Sequence, residues 1–234
     1  APLLWRKKIR TIDSIVLTHP NSDHLNGLIY IAENFNVKNV WTNHETAKTF
    51  GYQMFMETIR NNNIQMPAYN KILGVHDING VHIDVLSPPV DFMDKKEMEM
   101  WRDLNNNSMV LKVSFGATSF LFPGDIKARA EYELVSEAGD KLNSTVLLAP
   151  HHGSKTSSTD SFLEKVTPEV VVISSRWNSR FGFPNPLVLK RYQAAGCRVL
   201  ETAHNGAVSM RTDGRILTIT PTVIGKTASL NNTH

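Results

Sequence analysis

Three short polar stretches, each placed directly after an apolar run typical of a β-strand, constrain this chain more than any other feature. They are Thr18-His19-Pro20-Asn21-Ser22-Asp23-His24, the pair Gly124-Asp125, and Pro150-His151-His152-Gly153-Ser154. A β-branched run such as residues 12–18 delivers the residues after it to one edge of a sheet, so three such runs can bring their polar ends together. The stretches hold four imidazoles and two carboxylates, which are ligands for Zn, Mn and Fe. The sequence therefore predicts a divalent-metal site with one or two ions, Mn or Zn.

Each of these residues also has an ordinary structural explanation. Asp23 and Asp125 stand close to helical patterns over about residues 25–35 and 126–138, and capping a helix N-terminus is the commonest role of Asp there. A cap does not require the two imidazoles that flank Asp23. The adjacent pair His151-His152 is harder to explain, because two neighbouring imidazoles after a strand add little to a fold. The cluster as a whole favours metal binding.

The order of the predicted elements is that of an α/β protein. Strands are predicted at residues 12–18, 37–41, 81–86, 108–115, 118–122, 144–149, 170–174, 198–201, 207–211 and 215–220. Helices are predicted near residues 25–35, 46–61, 126–138, 159–166 and 186–195, and 87–107 is predicted to be a long loop. Helices on both outer faces of two packed sheets would account for this series. We expect one domain over residues 1–224 and a disordered polar tail over 225–234.

Composition narrows the class of protein without identifying its function. The length of 234 residues, with 41% hydrophobic and 20% charged residues, is typical of a globular domain. The longest apolar stretches are far shorter than the ~20 residues that a membrane-spanning helix requires, so the domain itself is predicted to be soluble. The single cysteine, Cys197, excludes an internal disulfide. A net charge of +3 is compatible with a polyanionic substrate but does not argue for one.

With these motifs in this order, the chain resembles metallo-β-lactamase-fold proteins and, more narrowly, the C-terminal domain of ComEC-type competence proteins, which take up DNA across the membrane. The narrower resemblance rests on the stretches Leu17–Gly27, Asn106–Leu111, Thr118–Asp125, Ala149–Ser157, Ser174–Asn178, Pro184–Pro186 and Gly196–Ala207. It implies an αββα sandwich. In that family several more strands, including a segment close to Asp-Val-Gly-Gln-Gly-Asp, precede the first motif. We therefore expect an N-terminally truncated form of the fold.

The resemblance also implies roles for individual residues. The implied metal ligands are His19, Asn21, Asp23, His24, Asn106, Asp125, His151 and His152. Asp125 would bridge two ions, and Asp23 and His24 would be the catalytic residues. Lys155, Thr156 and Ser157 are candidate phosphate contacts, with a solvated loop as the equally weighted alternative. No small organic cofactor is expected.

Three positions depart from the pattern of the resembled family. The fuller motif is His-x-His-x-Asp-His, and this chain has Asn21 in place of the second His. The next ligand falls within residues 104–107, so Asn105 or Asn106 would have to serve. A carboxamide oxygen is a harder and weaker donor than imidazole, which shifts the preference of the first ion from Zn toward Mn or Mg. Phe183 stands where many relatives have His.

The function implied by the resemblance is that of a metal-dependent nuclease. It would degrade the DNA strand that is not taken up during transformation, and its partners would be single-stranded DNA and the membrane channel domain of the parent protein. The parent would lie in the bacterial cytoplasmic membrane, with this domain on the outer face. Two alternatives remain open: a degenerate module that guides DNA or braces the channel, and a small-molecule phosphoester or thioester hydrolase. No series of aromatic residues for base stacking is evident, because Trp41, Trp101 and Trp177 are equally typical of core or loop positions.

Overall fold

Two parallel strands near the N-terminus form the first sheet of the computed structural model, which describes residues 1–223. Helix α1 (Pro2–Arg6) is followed by β1 (Thr11–Leu17), α2 (Ser22–Asn34) and β2 (Asn36–Thr42). The two strands pair in parallel, from Thr11 with Asn36 to Leu17 with Thr42. A parallel pair requires a crossover connection, and α2 provides it.

The second sheet is mixed and has seven strands within the described part of the chain, in the order β3-β4-β5-β6-β7-β8-β9. Its strands are β3 (Gly74–Ile78), β4 (Val81–Ser87), β5 (Val110–Phe115), β6 (Thr118–Phe122), β7 (Val146–Leu148), β8 (Val170–Ile173) and β9 (Arg198–Glu201). Helix α3 (Phe50–Asn61) packs on the first sheet. The helices that follow it in the chain are α4 (Tyr69–Ile72), α5 (Phe92–Lys96), α6 (Ala128–Ala138), α7 (Asp160–Val166), α8 (Pro186–Ala194) and α9 (Thr202–Asn205). Strands β3 to β6 are antiparallel, whereas β6 to β9 are parallel.

An antiparallel hairpin completes the described chain. Strands β10 (Val208–Thr212) and β11 (Leu217–Pro221) pair as the sequence predicted. Apolar side chains of this hairpin pack against Val146, Val170 and Leu200 of the second sheet. The predicted polar tail over 225–234 lies outside the described residues.

Each sheet has its own apolar core on the side of its helices. Side chains of β1, β2, α2 and α3 form one core, which includes Leu17, Leu25, Val40, Phe55 and Ile59. The second sheet packs against α6, α7 and α8 around Leu121, Leu134, Leu147, Phe162, Val171 and Tyr192. A third cluster joins the sheets, since Val16 and Trp41 of the first contact buried residues such as Val85 and Leu111 of the second. Two packed sheets with outer helices confirm the predicted α/β class.

The parallel part of the second sheet determines where the polar motifs lie. Strands β6, β7 and β8 run in the same direction, so the residues that follow them come to one edge. Asp125 follows β6, His151 and His152 follow β7, and Ser174 follows β8. The end of β1 reaches the same place, because the Met109 backbone N–H donates a 2.9 Å hydrogen bond to the Thr18 carbonyl oxygen.

The structure differs from the sequence prediction at several elements. Helices α1, α4, α5 and α9 were not predicted, because helices of four or five residues are too short to show a periodic apolar pattern. Helix α5 lies within residues 87–107, which were predicted to be a loop, and α3 begins four residues later than predicted. Strand β3 was not predicted, because its residues Gly74-Val75-His76-Asp77-Ile78 are largely polar and lie at an edge of the sheet. Helix α2 begins at Ser22, three residues earlier than predicted, and its N-cap position is Asn21. Asp23 is therefore within the first helical turn and is not the cap. The N-cap of α6 is Lys127, so Asp125 is not a cap either.

We predict that Leu121→Ala will lower the free energy of unfolding by about 2–5 kcal/mol, because deleting a buried Leu side chain leaves a cavity. Leu121 is fully buried in the core of the second sheet. The matched control is Leu187→Ala on α8, whose side chain is 55% exposed, with an expected change within about 0.5 kcal/mol. Urea unfolding followed by circular dichroism measures both, and equal losses would contradict the assignment of the core.

Candidate metal centre

Four side chains from three motifs converge on one point at the edge of the second sheet. They are Asp23, His24, Asp125 and His152, whose donor atoms all lie within 4.8 Å of one another. His24 Nε2 is 3.1 Å from Asp125 Oδ1 and 3.3 Å from His152 Nε2, and His152 Nε2 is 3.4 Å from Asp23 Oδ2. Two imidazoles and two carboxylates form a donor set that suits a divalent transition metal.

His19 supplies a further nitrogen atom, and this atom lacks a hydrogen-bond partner among the described residues. The residue is fully buried, and within residues 1–223 its Nε2 has no hydrogen-bond partner. This atom lies 3.9 Å from Asp125 Oδ2. Buried polar atoms in proteins normally have a partner, and a metal ion beside Asp125 would provide one. The donor set and this orphaned nitrogen both fit a bound metal.

Hydrogen bonds fix the orientation of two of the imidazoles. His152 Nδ1 is 2.9 Å from the Ser174 carbonyl oxygen. Because a carbonyl only accepts, this Nδ1 carries the proton and Nε2 presents its lone pair to the cluster. His24 Nδ1 lies 3.3 Å from the Thr18 hydroxyl. Such outer contacts hold a ligand ring in place before the ion binds.

Ser108 positions Asp125 and His19 together. Its hydroxyl oxygen accepts a 3.0 Å hydrogen bond from the Asp125 backbone N–H and lies 3.2 Å from His19 Nδ1. Gly124, just before the carboxylate, has φ +58°, and a Cβ there would lie 2.6 Å from the Ser108 Cβ. Only glycine allows this approach. The turn after β6 therefore needs Gly124 to bring Asp125 to the cluster.

The charges within the cluster shift the protonation of its members. Burial and the neighbouring His24 lower the pKa of His19 to about 4, so its imidazole is neutral and can act as a ligand. Burial raises the pKa of Asp125, but the hydrogen bond and charge of His24 outweigh it and the pKa is lowered. Burial lowers the pKa of His24, and the same contact with Asp125 reverses this and raises it. The Asp125 carboxylate is thus ionised at neutral pH.

A second polar group lies beside the four-residue cluster. Asn21 Nδ2 donates a 2.6 Å hydrogen bond to Asn105 Oδ1, and Asn105 Nδ2 is 3.4 Å from His151 Nε2. His151 Nδ1 is 3.3 Å from the Thr156 hydroxyl. Burial lowers the pKa of His151, which leaves it neutral. The structure thus brings together Asn21 and His151 through Asn105, which was the alternative to Asn106.

Two of the predicted site residues have other contacts. Asn106 Nδ2 donates to the Trp101 carbonyl oxygen at 2.6 Å, and its Oδ1 accepts from the Lys127 backbone N–H at 2.9 Å. The hydroxyl of Ser157 is buried and donates to the Ile126 carbonyl oxygen at 2.7 Å. Both side chains hold backbone segments, and the structure does not bring them to the cluster. Lys155 is exposed on the loop after the His pair.

The turn at residues 151–153 sends the two adjacent imidazoles in different directions. His151, His152 and Gly153 have φ values of 49°, 54° and 78°. The left-handed region is costly for residues with a Cβ, and such residues cluster at functional sites. A Cβ on Gly153 would lie 2.9 Å from the Pro184 Cβ. His152 can therefore face Asp125 while His151 faces Asn105.

A cavity of about 530 Å³ opens between the two sheets beside the cluster. Asp23, His24, Asp125 and His152 lie in one part of its wall. The rest of the wall is mainly apolar and includes Val16, Trp41, Ile83, Leu111, Phe122 and Leu148. Cavities with an apolar wall and a few convergent polar groups are typical of small-molecule sites.

Sequence reasoning did not identify the residues that orient the ligands. Thr18, Ser108 and Ser174 are ordinary small polar residues, and their hydrogen bonds depend on how distant strands meet. One signal was available for Ser174, because it directly follows β8, the parallel neighbour of β7. Residues at the carboxyl ends of adjacent parallel strands share one edge of a sheet.

Comparison with known families agrees with the observed fold. The model of the metallo-beta-lactamase superfamily matches residues 1–175, which is most of the chain. The protein therefore belongs to the metallo-β-lactamase superfamily, whose fold is that of metal-dependent hydrolases. Igni18, a metallo hydrolase from the archaeon Ignicoccus hospitalis, has a similar fold, with a TM-score of 0.50, 18% identity, and coverage of 81% of this chain and 75% of that one.

Among curated proteins, the chain is similar over most of its length to three longer proteins, one of which is named a competence protein. It is 26% identical to ComE operon protein 3 of Bacillus subtilis over 217 residues, 92% of this chain and 26% of that protein. It is 31% identical to competence protein ComA of Neisseria gonorrhoeae over 207 residues, 88% of this chain and 26% of that protein. Recombination protein 2 of Haemophilus influenzae is 31% identical over 210 residues, which are 88% of this chain and 23% of that protein. The chain thus spans about a quarter of each relative's length.

None of the helices within residues 1–223 combines the length and the apolar composition that crossing a membrane requires.

We predict that Asp125→Asn will weaken Mn²⁺ and Zn²⁺ binding by more than the roughly 10- to 100-fold loss typical of outer-shell substitutions. The buried carboxylate is the anion that faces His19, His24 and His152, and an amide removes its charge. Isothermal titration calorimetry measures the affinity. The control is Asp140→Asn, whose carboxylate is 95% exposed. Equal affinity of the Asp125 variant and the wild type would contradict the assignment of the centre.

We predict that Ser108→Ala will weaken metal binding by roughly 10- to 100-fold, because it removes the hydroxyl beside the Asp125 N–H and His19 Nδ1. The stability of the fold is followed in the same samples by urea unfolding. Ser209→Ala, at an exposed position on β10, is the control and is expected to bind metal as the wild type does. An affinity loss in both variants would mean that Ser108 has no specific role.

Proposed function

We propose that this protein is a metal-dependent phosphodiesterase that cleaves DNA, and that it degrades the strand that is not transported during DNA uptake. The observation that carries the proposal is the convergence of Asp23, His24, Asp125 and His152 within 4.8 Å. Beside this cluster lie the buried His19 nitrogen and the group formed by Asn21, Asn105 and His151. The two neighbouring donor groups give room for two ions that share Asp125, an arrangement that suits phosphodiester cleavage.

The residues divide into two sets of ligands in this proposal. Asp23, His24, Asp125 and His152 would hold one ion. His19, Asp125, Asn21, Asn105 and His151 would hold the other, with Asn105 in the place first given to Asn106. A bound divalent ion supplies Lewis acidity, which neutralises phosphate charge and makes hydroxide available near neutral pH.

The protein's own side chains account for the positioning steps. The Asp23 side chain is 58% exposed, whereas that of Asp125 is 5% exposed. The exposed carboxylate of Asp23 can accept a hydrogen bond from an incoming water molecule and orient it toward phosphorus. His24 lies next to Asp23 and is held in one orientation by its contacts with Thr18 and Asp125. Lys155 and the Thr156 hydroxyl, on the loop after the His pair, would contact the phosphate backbone of the substrate.

The identity of the metal follows from the chemistry of the ligands. Imidazole and carboxylate bind both Zn and Mn, but carboxamide oxygens suit the harder ion. Asn21 and Asn105 supply carboxamides on the side of His19 and His151. We therefore propose Mn²⁺ as the preferred activator, with Zn²⁺ competing for the cluster around Asp125.

The cellular setting is proposed from the relatives, which include a competence protein and are about four times as long as this chain. The substrate would be single-stranded DNA, and the partner would be the channel domain of a longer parent protein. That parent would lie in the bacterial cytoplasmic membrane, with this domain on its outer face. The alternative of a DNA-guiding module without turnover is favoured by Asn21 and Asn105, because amides are weaker ligands than imidazoles.

A second enzymatic function is favoured by the apolar cavity of about 530 Å³ beside the cluster. A small phosphoester or thioester with an apolar group would place that group in the cavity and its polar end at the metal centre. The charged backbone of DNA would gain little from contact with this apolar wall.

We predict that the purified protein will cleave single-stranded DNA with Mn²⁺ and will not cleave it with EDTA. Asp125→Ala will abolish cleavage because it removes the carboxylate shared by both ligand sets. Asp23→Asn will lower kcat more than it raises KM, because its proposed role is in the reaction rather than in binding. Gel analysis of a labelled oligonucleotide measures each rate.

The control for this experiment is Asp140→Asn, which changes an exposed carboxylate just after the C-terminus of α6. This variant is expected to cleave DNA as the wild type does. Cleavage that persists in Asp125→Ala would point to a contaminating nuclease. A folded protein that binds DNA but cleaves with no metal would favour the guiding module. Turnover of an apolar aryl ester without DNA cleavage would favour the small-molecule hydrolase.

A further inference from the structure

Residues 174–185, here called the aromatic loop, expose aromatic rings and arginines next to each other. The segment reads Ser-Ser-Arg-Trp-Asn-Ser-Arg-Phe-Gly-Phe-Pro-Asn and contains no acidic residue. Trp177 and Phe181 are 67% and 65% exposed, and Arg176 and Arg180 are also exposed. Large aromatic side chains are usually buried, and an exposed group of them marks a binding surface.

Both ends of the aromatic loop are attached to the turn that carries the two imidazoles. At one end, His152 Nδ1 donates to the Ser174 carbonyl oxygen at 2.9 Å. At the other end, the Asn185 backbone N–H donates to the Gly153 carbonyl oxygen at 2.9 Å. The ring of Phe183 lies 5.6 Å from that of His151. The aromatic loop is therefore a border of the metal centre.

The rings and cations of the aromatic loop are arranged in pairs. Phe181 and Phe183 stack with their centroids 5.8 Å apart and an interplanar angle of 29°. The Arg180 guanidinium lies 4.8 Å from the centroid of Phe181. Trp177 meets His204 edge to face at 5.0 Å. Flat rings with interleaved positive charges can contact bases and phosphates of the same strand.

A cavity of about 320 Å³ lies at the base of the aromatic loop. Its wall includes Arg176, Trp177, Phe183 and the Glu201–His204 pair, whose Oε2 and Nδ1 atoms are 3.2 Å apart. Ser175 also lines it, and among the described residues its buried hydroxyl oxygen has no hydrogen-bond partner. The volume is at the lower end of the range for small-molecule sites, and an unsatisfied hydroxyl there can bond the edge of a base.

We propose that the aromatic loop binds single-stranded nucleic acid and delivers it to the metal centre. Bases stack on Trp177 and Phe181, Arg176 and Arg180 contact phosphates, and one base enters the cavity beside Ser175. Single strands are favoured because a duplex has no free base faces to offer to the rings. The inference rests on the proposed nuclease function and names the feature that selects its substrate.

Binding is tested without cleavage, by fluorescence anisotropy of a labelled oligothymidylate with the full chain in EDTA. Trp177→Ala and Phe181→Ala are each expected to weaken binding at least fivefold, roughly the lower limit for losing one base–aromatic stack. Arg176→Gln and Arg180→Gln are each expected to reduce the slope of log Kd against log salt by about 0.7. The controls are Phe50→Ala, an aromatic position 77% exposed on α3, and the exposed Arg60→Gln on the same helix.

A second measurement separates this inference from the nuclease proposal. Hydrolysis of methyl p-nitrophenyl phosphate with Mn²⁺ requires no base stacking, so the variants of the aromatic loop should retain it while the KM for oligothymidylate rises. If the variants lose oligonucleotide binding and the wild type cleaves nothing, the binding surface stands and the nuclease function fails.

Three results would overturn the inference. The first is an unchanged Kd for oligothymidylate in the double variant Trp177→Ala/Phe181→Ala. The second is an equal loss for a blunt duplex, which would show that base faces are not what the loop contacts. The third is binding of the wild type to vesicles of anionic phospholipid, lost in the same variants, with no binding of oligothymidylate.

Discussion

The arrangement of the metal centre depends on one buried negative charge, the Asp125 carboxylate. Its side chain is 5% exposed, and three imidazoles approach it from the turn after β1, from α2 and from the turn after β7. An ionised carboxylate is costly to bury unless cations or hydrogen-bond donors surround it. The protein offsets that cost with the contact from His24, while the Ser108 hydroxyl and the sharp turn at Gly124 hold the backbone of Asp125 in place. These groups come from distant parts of the chain, so the charge is stable only when the sheets have assembled.

Much of the fold was accessible from the sequence because period-two apolar runs and turn residues act locally. The hairpin over β5 and β6, the parallel strands β7 and β8, and the final hairpin all appear where their patterns predicted them. Strand β3 was missed, since an edge strand needs no apolar face and its pattern is polar. The start of α2 was placed three residues too late because Asn21 caps the helix by its position and not through its side chain.

The candidate site was predictable only in part. The His and Asp residues stand out because few structural roles require them in clusters. The choice between Asn105 and Asn106 was not accessible, because it depends on which amide meets backbone groups of Trp101 and Lys127. The sequence analysis found no aromatic series for base stacking and did not single out the aromatic loop for a similar reason. Nothing in the sequence distinguishes a buried Trp177 from an exposed one. The loop that carries Trp177 lies near the metal centre because both of its ends are hydrogen-bonded to the turn at residues 151–153.

The left-handed turn at His151, His152 and Gly153 has a consequence for how the protein responds to its ligands. The His152 ring supplies a donor to the cluster and also holds one end of the aromatic loop, and the Gly153 carbonyl oxygen holds the other end. A ligand of the cluster and a ligand of the aromatic loop would therefore both act on this short backbone segment. Thermodynamic linkage is reciprocal. If metal binding at the cluster raises the affinity of the aromatic loop for its ligand, that ligand raises the affinity of the cluster for metal by the same factor. In the proposed function, these three residues would couple metal binding at the cluster to nucleic-acid binding at the aromatic loop.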